Sequence, residues 1–329
     1  MKKYMRLVPS ALAALVLVAC GGGGGSGGGE AEAAPALPAA ASATGDAAGP
    51  TDAAALALAT LNTERERCGF GSVRRHAALD TAAGWHAAYL KQGFAEGRPA
   101  SHQQEPSRTG FVAATPAERV LQAGYDYAAT GEYLSFVPLA GTAAPGDALV
   151  RAMLATVYHL AGMLDGNRDV GIAVARADSA PPAYRQAILA WETGTPRGSR
   201  PTEPAGLVTY PCAGSSGLQP FMYGESPDPF TALGFAAGPG TGHPLYLRAP
   251  AGTQLRLAVA QLTHVASGRP VAVQLYHASD DPQRLLGAHQ AFAIPREPLE
   301  PGASYRAQLQ GSVDGVPFTR EFTFGTMRF

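Results

Sequence analysis

The sequence predicts two folded parts of different class, an α+β domain over 51–194 and an all-β sandwich over 207–329, carried behind an export signal and a tether. Three observations predict this. Helical spacing dominates before Gly194 and ends in two strand-like runs. Short period-two runs between turn signals fill the chain after Leu207. The first fifty residues hold no pattern from which a core could be built.

Those residues form a signal over 1–19 and a tether over 20–50. Lys2, Lys3 and Arg6 precede an apolar run from Leu7 to Ala19. A membrane-spanning helix needs roughly 20 apolar residues, so this run suits a signal peptide instead. It ends in Leu17-Val18-Ala19-Cys20, a lipobox whose cysteine thiol takes a diacylglycerol. The expectation is an extracytoplasmic lipoprotein held to a membrane through Cys20. Gly21 follows the cysteine, as in lipoproteins sent to the outer membrane if the host is Gram-negative. Gly21 to Gly29 is glycine with one serine, and 30–49 is rich in Ala, Pro and Gly. Such a segment buries too little surface to offset its ordering entropy and reads as a flexible leash of roughly 30 Å.

Charge excludes one class of partner. There are 25 basic against 26 acidic residues and no basic run beyond Arg74-Arg75, so nucleic-acid binding has no electrostatic support. With Cys20 lipidated, Cys68 and Cys212 remain of three cysteines. They form either a disulfide, as an oxidising compartment favours, or two buried free thiols.

Along the first folded part, Ala54 to Arg67 carries Ala54, Leu58, Leu61 and Arg65 at helical spacing, with Thr51 or Asp52 as N-cap. Ala78 to Gly93 repeats the pattern, with His86 on the apolar side as a core histidine. Thr115-Pro116-Ala117-Glu118 is a capping box with proline at the first helical position, opening a third helix that ends at Gly124. A fourth runs from Gly146 towards Met163. Val170 to Ala175 and Arg185 to Trp191 read as strands joined through Ala180-Pro181-Pro182. Thr195 to Pro204, rich in Pro and Gly, reads as part of a linker over 195–206. Strands are then expected at Pro244–Arg248, Gln254–Gln261, Ala272–Tyr276, Gln290–Ile294, Ser304–Gln310 and Arg320–Phe324. Asp314-Gly315 marks a tight hairpin between the last two.

Several segments of the first part, taken in order, resemble the CAP superfamily in its short bacterial branch. These are Leu58 to Gly71 (LATLNTERERCGFG), Ala78-Leu79 through His86-Ala87, Ala100-Ser101-His102, Gly131-Glu132, and Val157-Tyr158-His159 followed by Asp169 to Val174. The resemblance implies an α/β/α sandwich over 51–194. The second part resembles bacterial Ig-like modules through Tyr210-Pro211, Phe221 to Pro229 (FMYGESPDP) and Leu299 to Tyr305 (LEPGASY).

The family's cavity holds two histidines and two carboxylates. Carried over by position, it implies His102, Glu132 and His159 here, a set suited to zinc or another divalent metal with one position left for water. The same three side chains also suit a hydrogen-bonded cluster that locks helices onto the sheet. The second acidic position falls near Thr156, Tyr133 follows Glu132 in place of asparagine, and Leu160 follows His159 in place of arginine. That incomplete set favours a non-catalytic module binding an envelope component, lipid or peptide. The alternatives are a metal-dependent hydrolase using the cavity histidines and a surface adhesive protein acting through the Ig-like half.

Overall fold

Five α-helices and twelve strands occur in the computed structural model, which describes residues 50–139, 145–229 and 240–329. The signal, the lipobox with Cys20 and the tether up to residue 49 lie outside the described residues. The class is mixed α+β, with helices packed on one sheet and two further sheets after it.

The first sheet contains β1 (Arg74–Arg75), β2 (Tyr127–Pro138), β3 (Asp169–Arg176) and β4 (Gln186–Pro196), in the order β1-β3-β4-β2. β3, β4 and β2 are antiparallel, and β1 joins β3 in parallel. Around it lie α1 (Pro50–Arg67), α2 (Ala77–Ala95), α3 (Pro116–Gln122), α4 (Gly146–Met153) and α5 (Tyr158–Met163). Alternate residues of β4 serve two different cores, as the two-residue side-chain period requires. Ala187, Leu189 and Trp191 pack with Leu61 of α1, Met153 of α4 and Leu160 of α5. Ile188 and Ala190 pack with Ala83, Ala87, Leu90 and Phe94 of α2. Helices therefore cover both faces. α2 comes closest at Gly171, where a Cβ would lie 1.9 Å from the carbonyl carbon of Leu79.

Four details depart from the sequence pattern. α1 starts at Pro50, so Thr51 and Asp52 lie inside its first turn and do not cap it. The expected fourth helix is two, α4 and α5. The helix is interrupted between Met153 and Tyr158, and the side chain of Glu225 accepts the backbone N–H groups of Val157, Tyr158 and His159 that helical carbonyls would otherwise accept. The long edge strand β2 had no period-two signal. β4 runs to Pro196, two residues into the segment read as linker, and Thr195 is fully buried there.

The second half forms two four-stranded sheets. One contains β5 (Val208–Tyr210), β6 (Leu245–Arg248), β9 (Val273–His277) and β10 (Gln290–Pro295), ordered β5-β6-β10-β9. The other contains β7 (Leu255–His264), β8 (Pro270–Val271), β11 (Ser304–Val313) and β12 (Val316–Gly325), ordered β12-β11-β7-β8. All six expected strands are present. At the hairpin Asp314 has φ 48° and Gly315 φ 80°, the two positive values of a type I′ turn. Leu255 and Leu257 of β7 are buried while Arg256 between them is exposed, so this sheet has one wet face. Every residue of β6 and β10 is buried, which explains why LYLR and QAFAIP do not alternate. They form a middle layer covered on both sides.

One cover is the first half of the chain. Tyr246, Phe292 and Tyr276 stand side by side across β6, β10 and β9. Phe70, just past α1, stacks on Tyr246 at 6.2 Å. The Tyr158 hydroxyl of α5 donates to Asp281 at 2.7 Å and lies 3.0 Å from that of Tyr276. Cys68 and Cys212 form a disulfide with Cα atoms 5.5 Å apart, which settles the alternative left open by the cysteine count. The described residues form one compact unit whose main core runs from α1 to β12.

Candidate functional site

A buried charge cluster forms where α2, α3 and β2 meet. The capping box at Thr115 fixes the start of α3, with Thr115 Oγ1 accepting from Glu118 N at 3.2 Å and Glu118 Oε2 accepting from Thr115 N at 2.9 Å. Arg119 follows at once, fully buried and pointed at the sheet. Its Nη2 donates to Glu132 Oε2 at 2.6 Å and to the carbonyl of His102 at 3.0 Å. His102 Nδ1 is 2.8 Å from Glu132 Oε1. One arginine thus ties the loop carrying His102 to the strand carrying Glu132.

Glu132 is ionised. Burial works against the charge, but the hydrogen bond from His102 and the positive charges that gather around it at low pH, Arg119 foremost among the permanent ones, outweigh it and bring the pKa to about 2. Directly across the ladder stands Glu192, fully buried, and neither of its oxygens meets an N–H or O–H donor among the described residues. Burial first, and then the negative charge of Glu132, push its pKa well up. Glu192 is therefore the protonated member of the pair. His86 lies 3.5 Å from Glu132 Oε1, and burial lowers its pKa to about 4. It is neutral, with Gln104 donating to Nδ1 at 3.1 Å and Nε2–H donating to the Ser101 carbonyl at 3.0 Å.

A second carboxylate–imidazole pair lies nearby. His159 Nδ1 is 2.9 Å from Glu225 Oε2, and Glu225 also accepts the backbone N–H groups of Val157, Tyr158 and His159 at 2.6–3.1 Å. His102, Glu132 and His159 border one cleft of about 470 Å³, and Glu225 holds His159 from outside its lining. Its walls include His102, Glu132, Tyr133 and His159 from the first half, and Leu285, His289 and Gln290 from the second. Tyr133 lies so tightly over α5 that a Cβ on Gly162 would sit 2.2 Å from its hydroxyl oxygen.

The three residues carried over from the resemblance thus border the same cleft, but each imidazole has its own carboxylate. Among the described residues no group of three His, Cys, Asp or Glu side chains is placed to hold a metal ion. The donors do not fit one either. Both Glu132 oxygens are engaged, and the guanidinium at 2.6 Å puts a positive charge where a cation would have to sit. Thr156 is buried with its hydroxyl donating to the Met153 carbonyl at 2.8 Å, away from Glu132. The second carboxyl beside Glu132 is Glu192. Sequence reasoning missed it, although it stands one residue past the expected strand and has the parity of Ile188 and Ala190. It also missed Arg119, one residue past a recognised capping box. Glu225 lies in the FMYGESPDP run, and no local signal marks it.

No family model matches the chain, and no curated protein matches it. Among solved structures the chain is similar to PcoC, a copper resistance protein from Escherichia coli, with 21% identity and a TM-score of 0.22 over 35% of this chain and 92% of that one.

Proposed function

We propose that the protein is a lipid-tethered, extracytoplasmic binding module of CAP-like and Ig-like parts that holds an envelope component in the cleft between its two halves. The observation that carries this reading is the cleft itself. About 470 Å³ suits a small ligand, and polar groups from both halves converge on it. The networks behind it are engaged in holding side chains in place. Arg119 and Glu132 neutralise each other, and His86 and Glu192 are buried and uncharged. That is a preorganised surface, and preorganisation serves binding by reducing the ordering cost. The disulfide supports an oxidising compartment. No helix among the described residues is long and apolar enough to cross a membrane. The lipid on Cys20 supplies the membrane contact in this reading.

Two measurements test it. Radiolabelled palmitate should enter the wild-type chain and not the Cys20→Ser variant, and label in both would remove the tether. Thermal-shift screening of the mature chain against envelope lipids, peptides and glycans should give a shift for one class that is lost in a His102→Ala, His159→Ala double variant. Stoichiometric metal in protein purified without chelator, with turnover lost in that double variant, would replace the reading with a metal-dependent hydrolase.

A further inference from the structure

The cleft lies along an unpaired strand edge. We infer that it binds an extended peptide, which adds to β2 as a further strand of the first sheet through main-chain hydrogen bonds; this rests on the binding reading above. β2 is an end strand, paired only with β4 among the described residues. The direction of its backbone groups follows from the ladder. The carbonyls of Gly194 and Gln186 accept from Arg168 and Ala177 on the β3 side, whereas the carbonyl of Arg185 accepts from Leu139 on the β2 side. Successive residues of a strand bond to opposite neighbours, so Ala187, Leu189, Trp191 and Thr193 face β2. Their ladder partners on β2 are Val137, Ser135, Tyr133 and Gly131, which face back. The N–H and C=O groups of Thr130, Glu132, Leu134 and Phe136 are left directed at the free edge. None of these groups meets a hydrogen-bond partner among the described residues.

The cleft wraps around that edge. Glu132 and Tyr133 are consecutive, so they point to opposite faces of the sheet. The Glu132 side chain meets Arg119 of α3 on one face, and Tyr133 packs over α5 at Gly162 on the other. Both line the same cleft, with His102 from the first side and His159 from the second, so the open space passes beside the strand. At Glu132 the side chain is 1% exposed while the residue as a whole is partly exposed, so it is the backbone that solvent touches. Nothing on β2 guards the edge in the ways that strands commonly do. It has no lysine or arginine, the Glu132 carboxylate is turned inwards, the bulge lies at its first residues, and its one proline is Pro138, the last. Leu285 and His289 of the second half complete the cleft. They leave room for one extended chain and not for the strand of a second copy with helices on both its faces. The outward groups of Thr130 and Glu132 repeat at about 6.8 Å, the interval at which an extended peptide presents its own donors and acceptors. A lipid or a sugar has no such repeat.

A random octapeptide library displayed on phage and panned against the mature chain supplies the probe, and isothermal titration measures the recovered peptides. N-methyl groups placed at one peptide residue at a time then give a reading that side-chain recognition would not. Only alternate N–H groups of an added strand point at β2. Methylation should therefore weaken binding by about tenfold or more at every second central position and leave those between within about twofold. The bound peptide should slow deuterium exchange at Thr130 and Glu132 and leave Gly131 and Tyr133, already bonded to β4, unchanged. Thr130→Pro removes one outward N–H without taking a bond from the ladder, and should weaken the same peptides by about tenfold. The methyl scan and the exchange use the wild-type chain and decide the matter if that variant does not fold. Failure to recover any peptide overturns the inference, as does a methyl scan without alternation or unchanged exchange at Thr130 and Glu132. A dimer in sedimentation equilibrium that Thr130→Pro abolishes also overturns it and gives the edge to a second copy. Sugars or lipids that raise the melting temperature while no peptide binds overturn the peptide class and leave the binding reading intact. Cleavage of a peptide that shows the alternation keeps the added strand and removes the binding reading.

Discussion

Replacing Glu192 by glutamine should stabilise the protein at neutral pH, by an amount that grows with pH. The carboxyl is fully buried, meets no N–H or O–H donor among the described residues, and faces a Glu132 already paired with Arg119. Its folded-state pKa is raised above the ordinary value of 4.5 by burial and by the charge of Glu132. Below the ordinary value both folded and unfolded chains hold the proton and the group is neutral to stability. Above it the unfolded chain ionises first, so stability falls by about 1.4 kcal/mol per pH unit until the folded-state pKa is passed. Glutamine does not titrate, and one N–H replaces the carboxyl proton towards Glu132. Its second N–H is left unpaired, at a cost of about 1 kcal/mol. The variant should therefore be about 1 kcal/mol less stable than wild type near pH 4, equal to it roughly one pH unit higher, and more stable by pH 7. Glu132 acts in the opposite sense in both proteins. Its pKa of about 2 gives a contribution that is present above pH 4.5 and lost as pH falls towards 2, so it cancels in the comparison. Urea unfolding followed by tryptophan fluorescence between pH 4 and 8 measures the difference directly. A difference that does not change with pH would show that Glu192 is not protonated in the fold, and the charge assignment of the cluster would fail with it.

Three further expectations follow from packing. Gly162→Ala forces a Cβ to within 2.2 Å of the Tyr133 hydroxyl and should cost about 1–3 kcal/mol, whereas Gly171→Ala meets the Leu79 backbone at 1.9 Å and should cost more; thermal melts that rank them the other way would mean that Tyr133 is the less movable neighbour. The Cys68→Ser, Cys212→Ser double variant should lose about 2–5 kcal/mol in denaturant unfolding, and the same loss should appear in wild type under reductant. A chain of residues 205–329 alone uncovers one face of Tyr246, Phe292 and Tyr276, each fully buried in the whole protein. At about 1.5–3 kcal/mol per side chain this is comparable with the whole stability of a small domain, so its amide spectrum should be poorly dispersed. A well-dispersed spectrum would show that the second half has its own sufficient core.

What was legible in the sequence depended on how local the cause was. The capping box at Thr115 and the Asp314-Gly315 turn are decided by a few adjacent residues, and both stand where the sequence put them. Period-two strands with one wet face were equally plain. β6 and β10 were visible only as short apolar runs, because burial on both sides erases alternation. β2 left no pattern, since an edge strand that borders a cleft carries Gly131, Glu132 and Tyr133 for reasons other than core packing. At the site, the resemblance picked out three residues that do border one cleft. It missed every group that fixes them, because Arg119, Glu192 and Glu225 act through long-range contacts, whose ladder register or loop path no sequence window contains. Cys68 and Cys212 were a pair by count, and only their approach in space distinguished a bond from two thiols.

The placing of α5 shows why the cleft depends on both halves. Six residues are far too few for a helix to persist on its own propensity in water. Glu225, from the loop after β5, takes the N–H groups at its start, and the fully buried Arg65 of α1 donates to the carbonyls of Met163 and Asp165 at its end, at 2.8 and 2.9 Å. Each charge also complements the end of the helix that it meets, negative at the N-terminus and positive at the C-terminus. The carboxylate that starts the helix is the same one that orients His159, so helix placement and ring orientation have a single cause. On the opposite wall Arg119 plays the corresponding part, holding the His102 loop by its carbonyl and Glu132 by its carboxylate. His102 and His159 are therefore each held by a buried carboxylate that is itself already compensated. A ligand entering between them meets rings whose positions were set before it arrived.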